Sequence, residues 1–233
     1  MRRHLSRLPL AAFIVAIAIS GAGCCPLLVS SDTQSDAGDE ASAQPVLEEF
    51  LDASTKTGDF ELSSKTASGN SSEFTGQFWV DGRRFRFDLY QGDVLVRSIL
   101  SPDGEIAYFA QHEEEVCEPS VAGADHYLIE FERPEGEGAD GGIDEETGAQ
   151  RLVYPVRQTD RIAGSTNPWY TEDITYLVKD GSVIGVIKRG TVPQDNGSLG
   201  EFDTFRRMVS NVRLGADIPA DTFELPYPVR DAE

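Results

Sequence analysis

The sequence predicts an α+β protein that is mostly antiparallel β, with one amphipathic helix ahead of the sheet. Three observations carry this. The stretch from Glu73 to Phe109, EFTGQFWVDGRRFRFDLYQGDVLVRSILSPDGEIAYF, reads as four short runs separated by turn residues. A second hairpin repeats the pattern, with Ile174 to Lys179 turning through Asp180-Gly181 into Ser182 to Arg189. Upstream, Val46, Leu47, Phe50 and Leu51 fall at helical spacing, which gives a helix ending near Thr57-Gly58.

Within the meander the side chains alternate. Phe74, Gly76, Phe78 and Val80 share one face, and Thr75, Gln77 and Trp79 share the other. After the Asp81-Gly82 turn, Arg84 and Arg86 alternate with Phe85, Phe87 and Leu89. The apolar members of the two strands therefore oppose one another across the turn. Gln91-Gly92 leads into Val94 to Leu100, and Ser101-Pro102-Asp103-Gly104 into a fourth strand, Glu105 to Phe109. So many apolar groups on one face need a cover. Two readings fit equally: packing on the Val46/Phe50 helix, or lining a pocket.

Composition narrows the function classes. Forty acidic residues against 20 basic give a net charge of −20, which repels phosphate backbones and argues against nucleic-acid partners. Three cysteines, Cys24, Cys25 and Cys117, make neither a disulfide framework nor a metal-type spacing. Only three histidines are present, and no Gly-x-Ser-x-Gly, His-Glu-x-x-His or phosphate-loop motif, so no enzyme and no cofactor is expected.

The N-terminus reads as an address. Arg2, Arg3, His4 and Arg7 precede an apolar run from Leu10 to Ile19, too short for the about 20 residues that span a bilayer. Gly21-Ala22-Gly23-Cys24 follows and resembles a bacterial lipobox, in which the cysteine receives a diacylglycerol with its palmitate-type chains. Residues 1–23 are thus expected to be a lipoprotein signal peptide, and Cys24 the lipidated terminus on the extracytoplasmic side of the cell membrane. Residues 24–44, rich in Ser, Ala, Asp and Gly, read as a flexible tether to a single domain over 45–230.

Further along, a first strand is expected over Phe60 to Thr66. His112, Glu113 to Glu115 and Cys117 are ligand-type residues, but the preferred reading is a solvated turn beside a small buried thiol, with no metal site. Residues 134–149, PEGEGADGGIDEETGA, lack apolar periodicity; they read as a disordered acidic insertion, without the EF-hand register that calcium would require. Arg151 to Tyr154 and Phe202 to Leu214 are further strands, and Pro219 to Pro226 closes the domain.

The ordered set of motifs resembles the LolA/LolB lipoprotein-carrier superfamily, including lipid-binding lipoproteins of LppX and LprG type. Gly76-Gln77-Phe78-Trp79-Val80, a turn and Phe85-Arg86-Phe87 look like the family's paired aromatic strands. Asp103-Gly104-Glu105-Ile106-Ala107-Tyr108-Phe109 is similar to its next strand, and Ile218-Pro219-Ala220-Asp221-Thr222-Phe223-Glu224-Leu225-Pro226 to its ending. The resemblance implies a curved, incompletely closed half-barrel wrapped over one or a few helices, enclosing a cavity for acyl chains. Phe78, Val80, Phe85, Phe87, Leu89 and Phe50 would line it. The carriers' lid-latching arginine falls in the turn after the Trp-Val strand, where Arg83 is the nearest candidate, and the region from Glu118 to Ala124 is short for a large lid helix. Together with the lipobox this implies an anchored, non-enzymatic binder of a lipid or amphiphile; the alternative is an envelope sensor or accessory lipoprotein that binds a protein partner with the same fold.

Overall fold

The computed structural model describes residues 42–65, 71–120, 123–160, 169–193 and 199–230. Cys24 and the rest of the expected signal peptide and lipidated terminus lie outside them. Helix α1 (Ala43–Asp52) leads into β1 (Thr55–Lys65), β2 (Ser71–Asp81), β3 (Arg84–Gln91), β4 (Val94–Ser101), β5 (Tyr108–Gln111) and β6 (Val116–Pro119). The short helix α2 (Ala124–Leu128) precedes β7 (Ala139–Ile143), β8 (Gln150–Asp160), β9 (Trp169–Lys179), β10 (Ser182–Pro193) and β11 (Leu199–Leu214). A single 3₁₀ turn, Ala220–Phe223, lies in the C-terminal tail.

The helix stops earlier than its apolar spacing suggests. Lys56 is buried on the inner face and its ammonium reaches the carbonyls of Ala53 (2.5 Å) and Leu51 (3.3 Å) at the end of α1. Those carbonyls have no partner inside the helix, so a cation there favours termination. The chain enters β1 at Thr55, where Thr55 and Thr57 are β-branched and suit a strand.

All strands form one antiparallel sheet in the order β6-β5-β4-β3-β2-β1-β11-β10-β9-β8-β7. Two local meanders, β1 to β6 and β7 to β11, are joined by the pairing of β1 with β11. Turns fix the registers. Gly82 and Gly92 adopt positive φ as the first residues of two-residue loops, and Asp180 (φ 50°) and Gly181 (φ 71°) both do so in the β9–β10 hairpin, as a type I′ turn requires. The end strands β6 and β7 do not pair with each other, so the sheet does not close into a barrel. Register shifts at Thr57/Asp59, Lys188/Gly190 and Leu89/Tyr90 add bend and twist.

One face, lined by Phe60, Phe78, Val80, Phe85, Phe87, Ile174, Tyr176 and Val186, packs around α1 as the main core. Gly76 makes room for it: a Cβ there would lie 2.2 Å from the Phe60 ring and 2.3 Å from the Asp88 carbonyl. The opposite face of β3 to β6 carries a second core of Leu100, Ala110 and Cys117, covered by Leu225 and Tyr227 of the tail. The tail pairs alongside β6 through Cys117 N to Pro228 O (2.9 Å) and Arg230 N to Cys117 O (2.8 Å), which shields that edge strand.

The acidic insertion carries a strand, where its composition suggests none. Ala139–Ile143 is a strand on β8, and the following turn folds back onto the opposite face. There Asp144 meets Arg206 at 2.9 Å and accepts from the Thr147 hydroxyl at 2.7 Å, while Lys179 donates to the Thr147 carbonyl. Ala149 is fully buried. The acidic run at 113–115 likewise leads straight into an unexpected strand, β6.

Candidate functional site

The inner face brings the expected aromatic residues together. Phe78 pairs with Phe87 and Val80 with Phe85 across the β2–β3 hairpin, the opposition that the alternation implies. Phe78, Val80, Phe85 and Phe87 are all at most 2% exposed, Leu89 is 8% exposed, and Phe50 of α1 closes on them. The Phe85 and Phe87 rings lie 5.2 Å apart.

What covers these rings comes from the segment between β6 and β7, which alternation could not reveal. Phe131 stacks on Phe87 (5.7 Å) and touches Phe78 (5.2 Å) and Phe50 (6.1 Å). Tyr127 of α2 meets Phe85 (5.8 Å) and stands edge-on to Phe109 (6.2 Å). The apolar run Tyr127-Leu128-Ile129 with Phe131, interrupted by the charge of Glu130, is the sequence signal for this role.

Exposed ion pairs fasten the segment. Arg83, in the β2–β3 turn, pairs with Asp125 and with Glu132 (3.3 Å), and donates to the Gly104 carbonyl (3.2 Å). Asp125 hydrogen-bonding raises the Arg83 pKa, though the pair is more than half exposed on both sides and contributes on the order of 0–1 kcal/mol. Arg133 donates to both oxygens of Asp52 at the end of α1 (2.9 Å). The segment is thus clasped at its rim by weak contacts and held in the interior by Leu128, Phe131 and the buried Glu130.

Beside Phe131 lies a buried charge cluster. Glu130 sits 2.7 Å from Lys188 of β10 and 2.6 Å from Arg207 of β11, with all three side chains at most 13% exposed. Burial pushes the Glu130 carboxyl up, but Arg207 and Lys188 together outweigh it and hold the group below the usual carboxylate range. The Arg207 guanidinium lies over the rings of Phe87 (4.9 Å), Phe60 (5.1 Å) and Phe131 (5.8 Å). Register explains the grouping: Tyr176, Val186, Arg207 and Leu62 form one row across β9, β10, β11 and β1, and Ile174 and Lys188 belong to the next. Tyr176 is fully buried, and burial pushes its hydroxyl far up.

A second polar chain crosses the opposite face. Ser98 donates to Asp88 (2.5 Å), His112 Nε2 contacts Ser98 (2.8 Å), and His112 Nδ1 contacts the Tyr227 hydroxyl (2.9 Å). Ser98 is wholly buried and gives its proton to Asp88, so it is not poised as a nucleophile. Cys117 is a buried free thiol whose pKa burial raises. Among the described residues no group of three or more His, Cys, Asp or Glu could hold a metal ion. A hollow of about 580 Å³ opens beside Tyr90 and Met208, but Glu61, Glu73, Asp93 and Glu146 line it. Acyl chains do not favour such a wall.

No family model and no curated protein matches the chain. Solved structures do. An uncharacterized conserved protein from Thermus thermophilus is similar at 9% identity over 81% of this chain and 99% of its own, with a TM-score of 0.40. A LolA superfamily protein from Nitrosomonas europaea is similar at 11% identity over 78% of this chain and 97% of its own, with a TM-score of 0.38. A DUF1329 family protein from Desulfovibrio piger shares 8% identity over the same fractions, again at 0.38. Similarity at this level fixes no residue correspondence and names no ligand.

Proposed function

We propose that this is a non-enzymatic amphiphile-binding domain of the cell envelope, tethered through Cys24. In this reading the segment 124–133 occupies the acyl site when no ligand is bound. One observation carries it: a continuous aromatic face on a sheet that does not close is covered, apart from α1, by a short segment clasped through exposed ion pairs. Burying Phe131 contributes roughly 1.5–3 kcal/mol, and each buried CH₂ of a competing acyl chain about 0.8 kcal/mol. A handful of buried methylenes therefore offsets the loss of the Phe131 ring, and a longer acyl chain is needed to offset Leu128 and Ala124 of the same segment as well.

The test is lipid retention. Protein purified without detergent should show lipid adducts by native mass spectrometry. Phe87→Glu, which sets a charge against the chain, should abolish the adducts while the domain stays folded by near-UV circular dichroism. A wild type that neither carries lipid nor takes up a fluorescent fatty acid, with Phe87→Glu unfolded, would sink the proposal. The filled inner face would then favour the second reading, a protein-interaction module.

A further inference from the structure

The cluster around Glu130 is unbalanced in two ways. Lys188 and Arg207 bring two positive charges to a buried site, and Glu130 returns one negative charge. The donors are also under-used. Arg207 Nε and the Tyr176 hydroxyl are buried with no hydrogen-bond partner among the described residues. The Arg207 Nη1 contact with Glu130 Oε2, though 2.6 Å long, is not aligned as a hydrogen bond. Glu130 thus accepts a hydrogen bond from Lys188 but meets only the charge of Arg207 and not its donor geometry. Buried polar groups in this state are costly, so a partner that completes them is favoured.

The cations and the carboxylate also differ in how they are held. Lys188 and Arg207 belong to adjacent strands in the middle of the sheet, whereas Glu130 arrives on the clasped segment. Glu130-Phe131 presents a carboxylate next to a large apolar group, and each carboxylate oxygen faces a different cation. Phe60 and Phe87 flank Arg207, and Phe205 lies beneath Lys188 at 5.6 Å. The site is therefore a two-oxygen, single-charge receptor opening onto an apolar wall.

We propose that Lys188 and Arg207, with the Tyr176 hydroxyl, form the headgroup site for a long-chain carboxylate, and that Glu130-Phe131 is the protein's own stand-in, displaced when a fatty acid binds. This assignment rests on the reading that the inner face takes acyl chains. Replacing one carboxylate by another leaves the charge of the cluster unchanged, while the incoming group can rotate to accept from Arg207 Nε and Tyr176. Glu130 and Phe131 move out to solvent, and the rim pairs of Arg83 and Arg133 open with them.

The experiment uses the mature chain with cis-parinaric acid and its methyl ester as paired fluorescent probes. The expected result is that the acid binds at least tenfold more tightly than the ester. Glu130→Gln, which weakens the stand-in, should tighten acid binding severalfold. Arg207→Met leaves the Glu130–Lys188 pair in place and makes the cluster neutral, so it is the informative variant, and it should lose most of the preference for acid over ester while staying folded by near-UV circular dichroism. Equal binding of acid and ester by the wild type overturns the headgroup site while leaving the acyl reading intact. Tighter binding of dodecyl phosphate than of dodecanoic acid overturns the carboxylate assignment. Binding of neither probe overturns both readings.

Discussion

His112 illustrates how much a single residue depends on neighbours far along the chain. Its ring lies where the C-terminal tail crosses the sheet, between Ser98 of β4 and Tyr227 of the tail. With Ser98 donating to Asp88, His112 Nε2–H donates to Ser98; in the neutral ring, which burial favours, Nδ1 accepts from the Tyr227 hydroxyl. Burial lowers its pKa from 6.5, Asp88 opposes that, and Arg86 reinforces it. A depressed histidine binds fewer protons folded than unfolded, so its contribution is complete above about pH 6.5 and is lost as the pH falls through the folded value. We expect the melting temperature of the wild type to drop between pH 7 and 5 and that of His112→Gln to drop less; identical slopes would refute the neutral-ring assignment. At this scale the sequence was informative about which side chains share a face, because alternation is local. Phe78 against Phe87 and Val80 against Phe85 could be read directly. Phe131 and Arg207 could not, since what they touch is set by strands and loops distant in the chain.

Elements were legible where a turn signal and a period coincided, as in β2, β3, β9 and β10. The acidic insertion failed this test for a physical reason. Its glycines remove side chains from a strand that crosses β8 closely: a Cβ on Gly141 would lie 2.7 Å from Val153. Composition alone reads such a strand as a loop. The turn that follows is held by Asp144, whose carboxyl is lowered to about 2, first by its hydrogen bond from Arg206 against the cost of burial, then by Thr147. A depressed carboxylate contributes above its unfolded value near 3.8, and that contribution is lost as the pH falls toward 2. Asp144→Asn should therefore lower stability at pH 7 by about 1–3 kcal/mol, or several degrees in melting temperature. The gap from wild type should narrow between pH 4 and 2. Equal melting temperatures at pH 7 would mean that the turn is an ornament to the fold, as its composition suggested.

For the whole molecule, a mostly antiparallel sheet preceded by a helix is legible, because hairpins announce themselves; the pairing of β1 with β11 is not, because nothing local marks strands so far apart. The proposed membrane anchor belongs to this scale too. Cys24→Ser should leave the precursor unprocessed, with residues 1–23 attached, and shift it out of the detergent phase; a wild-type N-terminal peptide without added acyl mass would refute the anchor. The strand order has one more implication, for biogenesis. Each meander can zip through neighbouring hairpins as soon as its residues are available, but the seam between them needs β11, the last strand. Closing a loop of this length in an open chain carries an entropic cost of about 4–5 kcal/mol, which prior folding of the two meanders reduces by shortening the free chain. Until β11 arrives, β1 has only one neighbour. If the chain is exported from its N-terminus, as the proposed anchor at Cys24 requires, the sheet stays unsealed until almost all of it has passed.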